Sequence, residues 1–116
     1  MAICKDLEAA GVAARCHDTS RTACKYATER ATFYQPGDGD KAGGQVLRFA
    51  NQAQLDRMLP IVQVSKTSEV VESRSALALV QLVTPQPEAP GKAKAIVEKL
   101  PAVPAGQVAL DPTCAK

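Results

Sequence analysis

Four cysteines, Cys4, Cys16, Cys24 and Cys114, constrain this chain more than any other feature. Their number is even, and no two stand in a CxxC spacing. In a small domain that pattern reads as structural disulfides of an oxidising compartment, not as a zinc site or a thioredoxin-like centre. Geometry then limits the backbone. A helix running unbroken from Cys4 to Cys16 would hold them about 18 Å apart, whereas a disulfide needs Cα atoms roughly 4.4–6.8 Å apart. The chain therefore has to turn between them if they bond. Gly11 is placed for that turn, because glycine accepts the left-handed conformation that ends helices. The expectation is a helix from Ile3 to Ala10, with Ile3, Leu7 and Ala10 on one face, and a fold-back over Val12 to Arg15. Of the three possible pairings, Cys4–Cys16 with Cys24–Cys114 is favoured. The second bond would close a loop of about ninety residues, contributing about 4–5 kcal/mol in the chain-entropy account. It would also tie back the extended, Pro/Ala-rich tail, residues 101–116.

The rest of the chain punctuates clearly. Cys16 to Thr28 is polar and turn-like. Glu29 to Gln35 reads as a strand, with Ala31 and Phe33 on one side and Thr32 and Tyr34 on the other. Pro36 to Gly44 has the composition of a loop. Gln45 to Ala50 is the partner strand, alternating Leu47 and Phe49 against Val46 and Arg48, so a hairpin is expected. Asn51, followed three residues later by Gln54, forms a capping-box start for a second helix. Leu55, Met58, Leu59 and Val62 are its buried stripe, Pro60 should kink or end it, and Ile61 to Val64 is read as helix. Thr67 to Ser75 reads as a polar connection with Val70 and Val71 turned inward. Ala76 to Val83 is the most apolar stretch and fits a central strand covered on both faces. A third helix is expected from Gly91 to Leu100, with Ala93, Ile96, Val97 and Leu100 inward, before Pro101. Val108 and Leu110 could add an edge strand. The sum is one α+β domain over residues 1–116, in the order α-β-β-α-β-α. Its sheet is expected to be small, mixed or antiparallel, of three to four strands with helices packed on one face.

Composition narrows the functions. Ile, Leu and Val fill 23 positions and Ala 20, enough for one modest core. There are only two Phe, two Tyr and no Trp. Base stacking and aromatic interface anchors are both poorly supplied. A net charge of +2, from 14 basic and 12 acidic residues, implies no polyanionic partner, so nucleic acid is not expected. No apolar run approaches the roughly 20 residues that span a bilayer, so the chain reads as soluble, without a transmembrane segment. Met1 to Lys5 lacks the apolar stretch of a secretory leader, and a start that follows a removed leader is one reading of it.

Several local patterns invite chemistry and are better explained as structure. Cys16, His17 and Asp18 suggest a zinc ligand set or a Cys–His nucleophile. Zinc wants ligands in spaced pairs, and a nucleophilic cysteine wants a free thiol beside an oriented histidine. His17 is the only histidine, and oxidation of Cys16 would end every such scheme. Asp38-Gly39-Asp40 resembles a calcium-loop fragment, but the position twelve residues along such a loop, where a Glu belongs, is Phe49. Gly43-Gly44 precedes a strand and is therefore no phosphate loop. Lys5, Arg15, Arg21, Lys25 and Arg30 are interspersed with Asp6, Glu8, Asp18 and Glu29, as on a solvated face. Ser20, Ser65, Ser68, Ser73 and Ser75 lie in no nucleophile motif. A small-ligand pocket between the sheet and the second helix, lined by Phe49, Met58 and Leu59, is a further reading, though these residues are more often plain core and a chain of this length is expected to hold no large cavity. No metal or cofactor is expected.

One resemblance bears on the setting. The segment from Cys4 to Cys16, the block Gly43-Gly44-Gln45-Val46-Leu47-Arg48-Phe49, the strand end Val80-Gln81-Leu82, and Gly91-Lys92-Ala93-Lys94-Ala95-Ile96-Val97 together resemble exported, lipoprotein-type domains of myxobacteria and related bacteria. The likeness covers most of Cys4 to Leu100. It departs at Ser68 to Ser75, where that group would carry a turn with Pro, His or Tyr, and it does not reach the tail. It implies a periplasmic, lipid-anchored or secreted location and no particular activity. The expected role is a non-enzymatic domain that binds an envelope protein or small ligand, or scaffolds at the cell envelope. The alternative is a small hydrolase or thiol-redox enzyme centred on Cys16 and His17.

Overall fold

The structure is a computed structural model that describes residues 2–19, 27–35, 43–63, 68–83 and 87–102. Their order is α1 (Ala2–Ala9), β1 (Ala14–Asp18), β2 (Glu29–Tyr34), β3 (Gly43–Arg48), α2 (Gln52–Val62), β4 (Ser68–Ser73), β5 (Ala78–Val83) and α3 (Ala89–Glu98). The fold is α+β, as expected. The five strands form one sheet in the order β1-β2-β3-β5-β4, and every neighbouring pair is antiparallel. The expected sheet of three to four strands was therefore too small.

The first helix ends as its glycine requires. Gly11 adopts φ +78°, and the amides of Val12 and Ala13 turn back to the carbonyl of Leu7, at 2.9 and 3.2 Å. That reversal brings Cys16 beside Cys4, with Cα atoms 5.7 Å apart and the two sulfurs bonded. Cys24 and Cys114 lie outside the described residues, as do the tail from Val103 onward and the loop Pro36 to Ala42.

Two strands were missed. β1 was read as a fold-back running into a polar turn. It is an edge strand whose pairing with β2 shifts register between Ala14 and His17, around Arg15 at φ 56°. Such an interruption hides the two-residue period that marks strands in a sequence. β4 was read as a polar connection. In it, adjacent Val70 and Val71 face opposite sides, Val71 packing with the α1 and α3 residues and Val70 with those of α2. The serines and glutamates around them, on an edge strand, mask the pattern.

β5 lies between β3 and β4 and is buried on both faces, as its apolar run demands. Ala78, Val80 and Leu82 join Ile3, Leu7, Phe33, Val46, Ala93 and Val97 in one core. Leu79 joins Leu47, Phe49, Leu55, Met58 and Val62 in another. The helices thus occupy both faces, α1 and α3 on one and α2 on the other. Packing on a single face would have left Leu47 and Leu79 in water.

Smaller differences have local causes. α2 begins at its capping box, where the Asn51 side chain accepts from the Gln54 amide at 2.8 Å and Gln54 Oε1 accepts from the Ala50 amide at 2.8 Å. It runs through Pro60 to Val62, because a proline so near the end withdraws one hydrogen bond in a turn that Val62 already anchors in the core. α3 starts and stops two residues earlier than expected, with Pro90 in its first turn, where proline needs no partner for its nitrogen. Gly43 and Gly44 open β3 instead of closing the loop.

Candidate binding groove on the sheet

Among the described residues, the face beneath α2 is only partly covered. Strand alternation puts Arg30, Thr32 and Tyr34 of β2, Gln45 and Leu47 of β3, and Leu79 and Gln81 of β5 on this side. α2 seals the part built on Leu47 and Leu79. Beyond its last turn the side chains change to polar. Cross-strand neighbours His17, Thr32, Gln45 and Gln81 form one row over four strands.

The row is hydrogen-bonded in two pairs, His17 with Thr32 and Gln45 with Gln81. The Nδ1 of His17 donates to the carbonyl of its near neighbour Arg15, at 3.0 Å, leaving Nε2 to accept from the Thr32 hydroxyl at 3.1 Å. Gln45 Nε2 donates to Gln81 Oε1 at 2.7 Å. Gln81 Nε2 then reaches the last carbonyl of α2, Val62, at 3.2 Å and the Ser68 hydroxyl at 3.3 Å. A polar row under a helix end satisfies the groups that an apolar row would strand. Alongside, the Arg15 guanidinium lies 5.8 Å from the Tyr34 ring centre, within cation–π range.

Between the row and α2 lies an open groove of about 560 Å³. Its sheet side is Arg30, Gln45 and Gln81, and its helix side is Arg57, Met58, Ile61 and Val62. Arg30 is braced, its Nε donating to Thr19 Oγ1 at 2.9 Å. Ile61 is 59% exposed on the groove's rim. Among the described residues, no acidic side chain lines it.

The residues singled out in the sequence separate on this scaffold. Cys16 packs against the α1 and α3 core, bonded to Cys4. His17 faces the opposite side in the polar row, and alternation turns Asp18 back again. The three therefore share a strand but not a site. Of the five basic residues, Arg15 and Arg30 stand on the groove's side of the sheet, Lys5 is exposed on α1, and Arg21 and Lys25 lie outside the described residues, as does Asp38-Gly39-Asp40. Of the suggested pocket residues, Met58 lines the groove, Phe49 is fully buried and Leu59 packs into the core. Among the described residues no three His, Cys, Asp or Glu gather as metal ligands, and no helix is long and apolar enough to cross a membrane.

Sequence reasoning missed Gln45, Arg57, Ile61 and Gln81. One signal was present: Gln81 interrupts the most apolar strand, which is costly unless a partner meets it. At the other end of α2, Arg74 ties the β4–β5 turn to the helix through Asp56, with Glu72 nearby. The hydrogen bond to Asp56, then the charges of Asp56 and Glu72, hold its guanidinium above the ordinary arginine range. This cluster is solvent-exposed and holds the turn.

No family model matches the chain, and neither a curated protein nor a solved structure does.

Proposed function

We propose that this chain is a non-enzymatic, exported binding domain that engages its partner through the groove between α2 and the polar row of the sheet. The observation that carries this reading is the groove itself: a concavity with an apolar wall, oriented amides and two guanidiniums, the usual make-up of a ligand site. The bonded Cys4–Cys16 pair supports an oxidising compartment. The resemblance to exported, lipoprotein-type domains points to the periplasm, the outer leaflet of an envelope membrane or the exterior. The hydrolase or thiol-redox alternative draws no support, because it needs a Cys16 thiolate beside His17.

Affinity recovery from an envelope extract tests the reading when the full chain is compared with an Arg57→Ala, Ile61→Ser double variant. Both positions are exposed, so the variant should fold. A partner recovered by the wild type and lost with the variant is expected. Equal recovery by both proteins would remove the groove from the proposal. A reactive thiol at Cys16 in the native protein, together with turnover on a substrate panel, would replace it with the enzyme reading.

A further inference from the structure

We infer that the Cys4–Cys16 bond is a redox-sensitive latch. Closed, it holds β1 in a strained, bulged pairing with β2; reduction by a dithiol lets that pairing go. This goes beyond the binding reading and does not depend on the groove.

The latch begins at one backbone position. β1 and β2 pair at Ala14 with Tyr34 and again at His17 with Thr32, so Arg15 and Cys16 together stand against the single residue Phe33. Two residues against one is a β-bulge, and where its first residue is left-handed that residue is ordinarily glycine. Here it is Arg15, at φ 56°. A side chain in that conformation is strained, and such strain persists only where the surroundings impose it. The next residue, Cys16, is bonded to Cys4 of α1. The bond therefore grips the bulge at its second residue and keeps Arg15 from relaxing.

The sheet lets this part move by itself. Among the described residues β1 has β2 as its one neighbour, while β2, β3, β5 and β4 pair in order without it. Release of β1 parts His17 from the Thr32 hydroxyl and bares the outer edge of β2, with the other strands still joined.

The two cysteines also differ in access. Cys4 is 5% exposed, whereas Cys16 is only partly buried. A thiolate of the dithiol attacks Cys16 Sγ, the S–S bond breaks, and Cys4 departs as a thiolate that takes up a proton. The second thiolate of the dithiol then attacks its own partner sulfur in the mixed disulfide. Cys16 leaves and is protonated, and the reductant departs as a disulfide. Two electrons and two protons pass to the protein. In an oxidising compartment the latch rests closed, and a dithiol reductant is the class of partner that opens it.

Two measurements on the full chain test this. The Cys4→Ser, Cys16→Ser variant gives the open state without reductant, leaving Cys24 and Cys114 untouched. NMR of that variant should show the cross-strand contacts of Ala14 and His17 lost and those of β2 with β3, β3 with β5 and β4 with β5 kept. The second measurement equilibrates chains retaining all four cysteines, without denaturant, in mixtures of reduced and oxidised dithiothreitol. Alkylation and peptide mass mapping then read Cys4 and Cys16. Arg15→Gly and Arg15→Ala remove the same side-chain contacts, but only alanine keeps the left-handed penalty. The bond should therefore be about fivefold harder to reduce in Arg15→Gly than in Arg15→Ala, about 1 kcal/mol. Equal equilibria for the two overturn the inference, as does a serine variant that keeps Ala14 against Tyr34. A serine variant that loses the whole sheet overturns it too, and makes the bond a plain staple.

Discussion

Two residues show how much a single backbone position can demand. Gly44 sits where β3 passes beneath the Phe33 ring. A Cβ there would lie 2.5 Å from both Phe33 Cζ and the Gln81 carbonyl oxygen. The ring could tilt, but the carbonyl belongs to the β5 backbone paired with β3. Gly44→Ala should therefore cost about 2–3 kcal/mol in chemical denaturation, the upper range for overpacking; a cost near zero would mean the strands are less tightly apposed. Leu77 is the opposite case, a buried leucine in the β4–β5 turn at φ 52°. Its side chain packs under α2, so truncation leaves a cavity worth about 2–5 kcal/mol. Alanine would keep the left-handed strain and glycine would not. Leu77→Gly should therefore be destabilised by about 1 kcal/mol less than Leu77→Ala, reversing the usual order of the two substitutions. Both could be measured by urea titration.

Among the elements, α2 decides most about the site. Its start is local: the Asn51 side chain caps the Gln54 amide, and Gln54 Oε1 accepts from the amide of Ala50. Asn51→Ala should cost about 1 kcal/mol, read as a shift of the urea midpoint. Gln54→Ala should give a smaller loss, since it removes the reciprocal half of the same box. Its end shapes the groove. Val62 buries its side chain while its carbonyl receives Gln81, so the last turn both closes the core and opens the groove. α1 works differently. Its C-terminal reversal at Gly11 exists to return the chain to Cys4, and β1 begins only because that return lays Ala14 to Asp18 against β2.

At the scale of the whole molecule, the Cys4–Cys16 bond fastens α1 to a strand that, among the described residues, has a partner on one side. The cysteines are 12 residues apart in sequence, and closing a loop of that size contributes about 3 kcal/mol in the chain-entropy account. The Cys4→Ser, Cys16→Ser double variant should lose about that much, with hydrogen exchange rising first in β1 and α1. Uniformly faster exchange would mean that the bond stabilises the sheet as a single unit. Among the described residues, α1 and α3 fill one side of the sheet while α2 covers only part of the other, and this leaves the groove open beside it.

The parts legible from the sequence were those governed by neighbours along the chain. Gly11 and the cysteine spacing favoured the first turn and the first bond, alternation marked β2 and β3, the capping box marked α2, and an apolar run marked β5. Each signal is a period or a cap, and each acts over a few residues. β1 and β4 were invisible because their strand character comes from pairing, with Arg15 breaking one period and serines and glutamates diluting the other. Nor could the chain's order announce that α2 lies opposite α1 and α3, since that choice follows from burying Leu47 and Leu79 together. The groove is a product of the same packing: Arg30, Gln45, Arg57, Ile61 and Gln81 are scattered over three strands and a helix, and only the register of the sheet and the length of α2 bring them to one place.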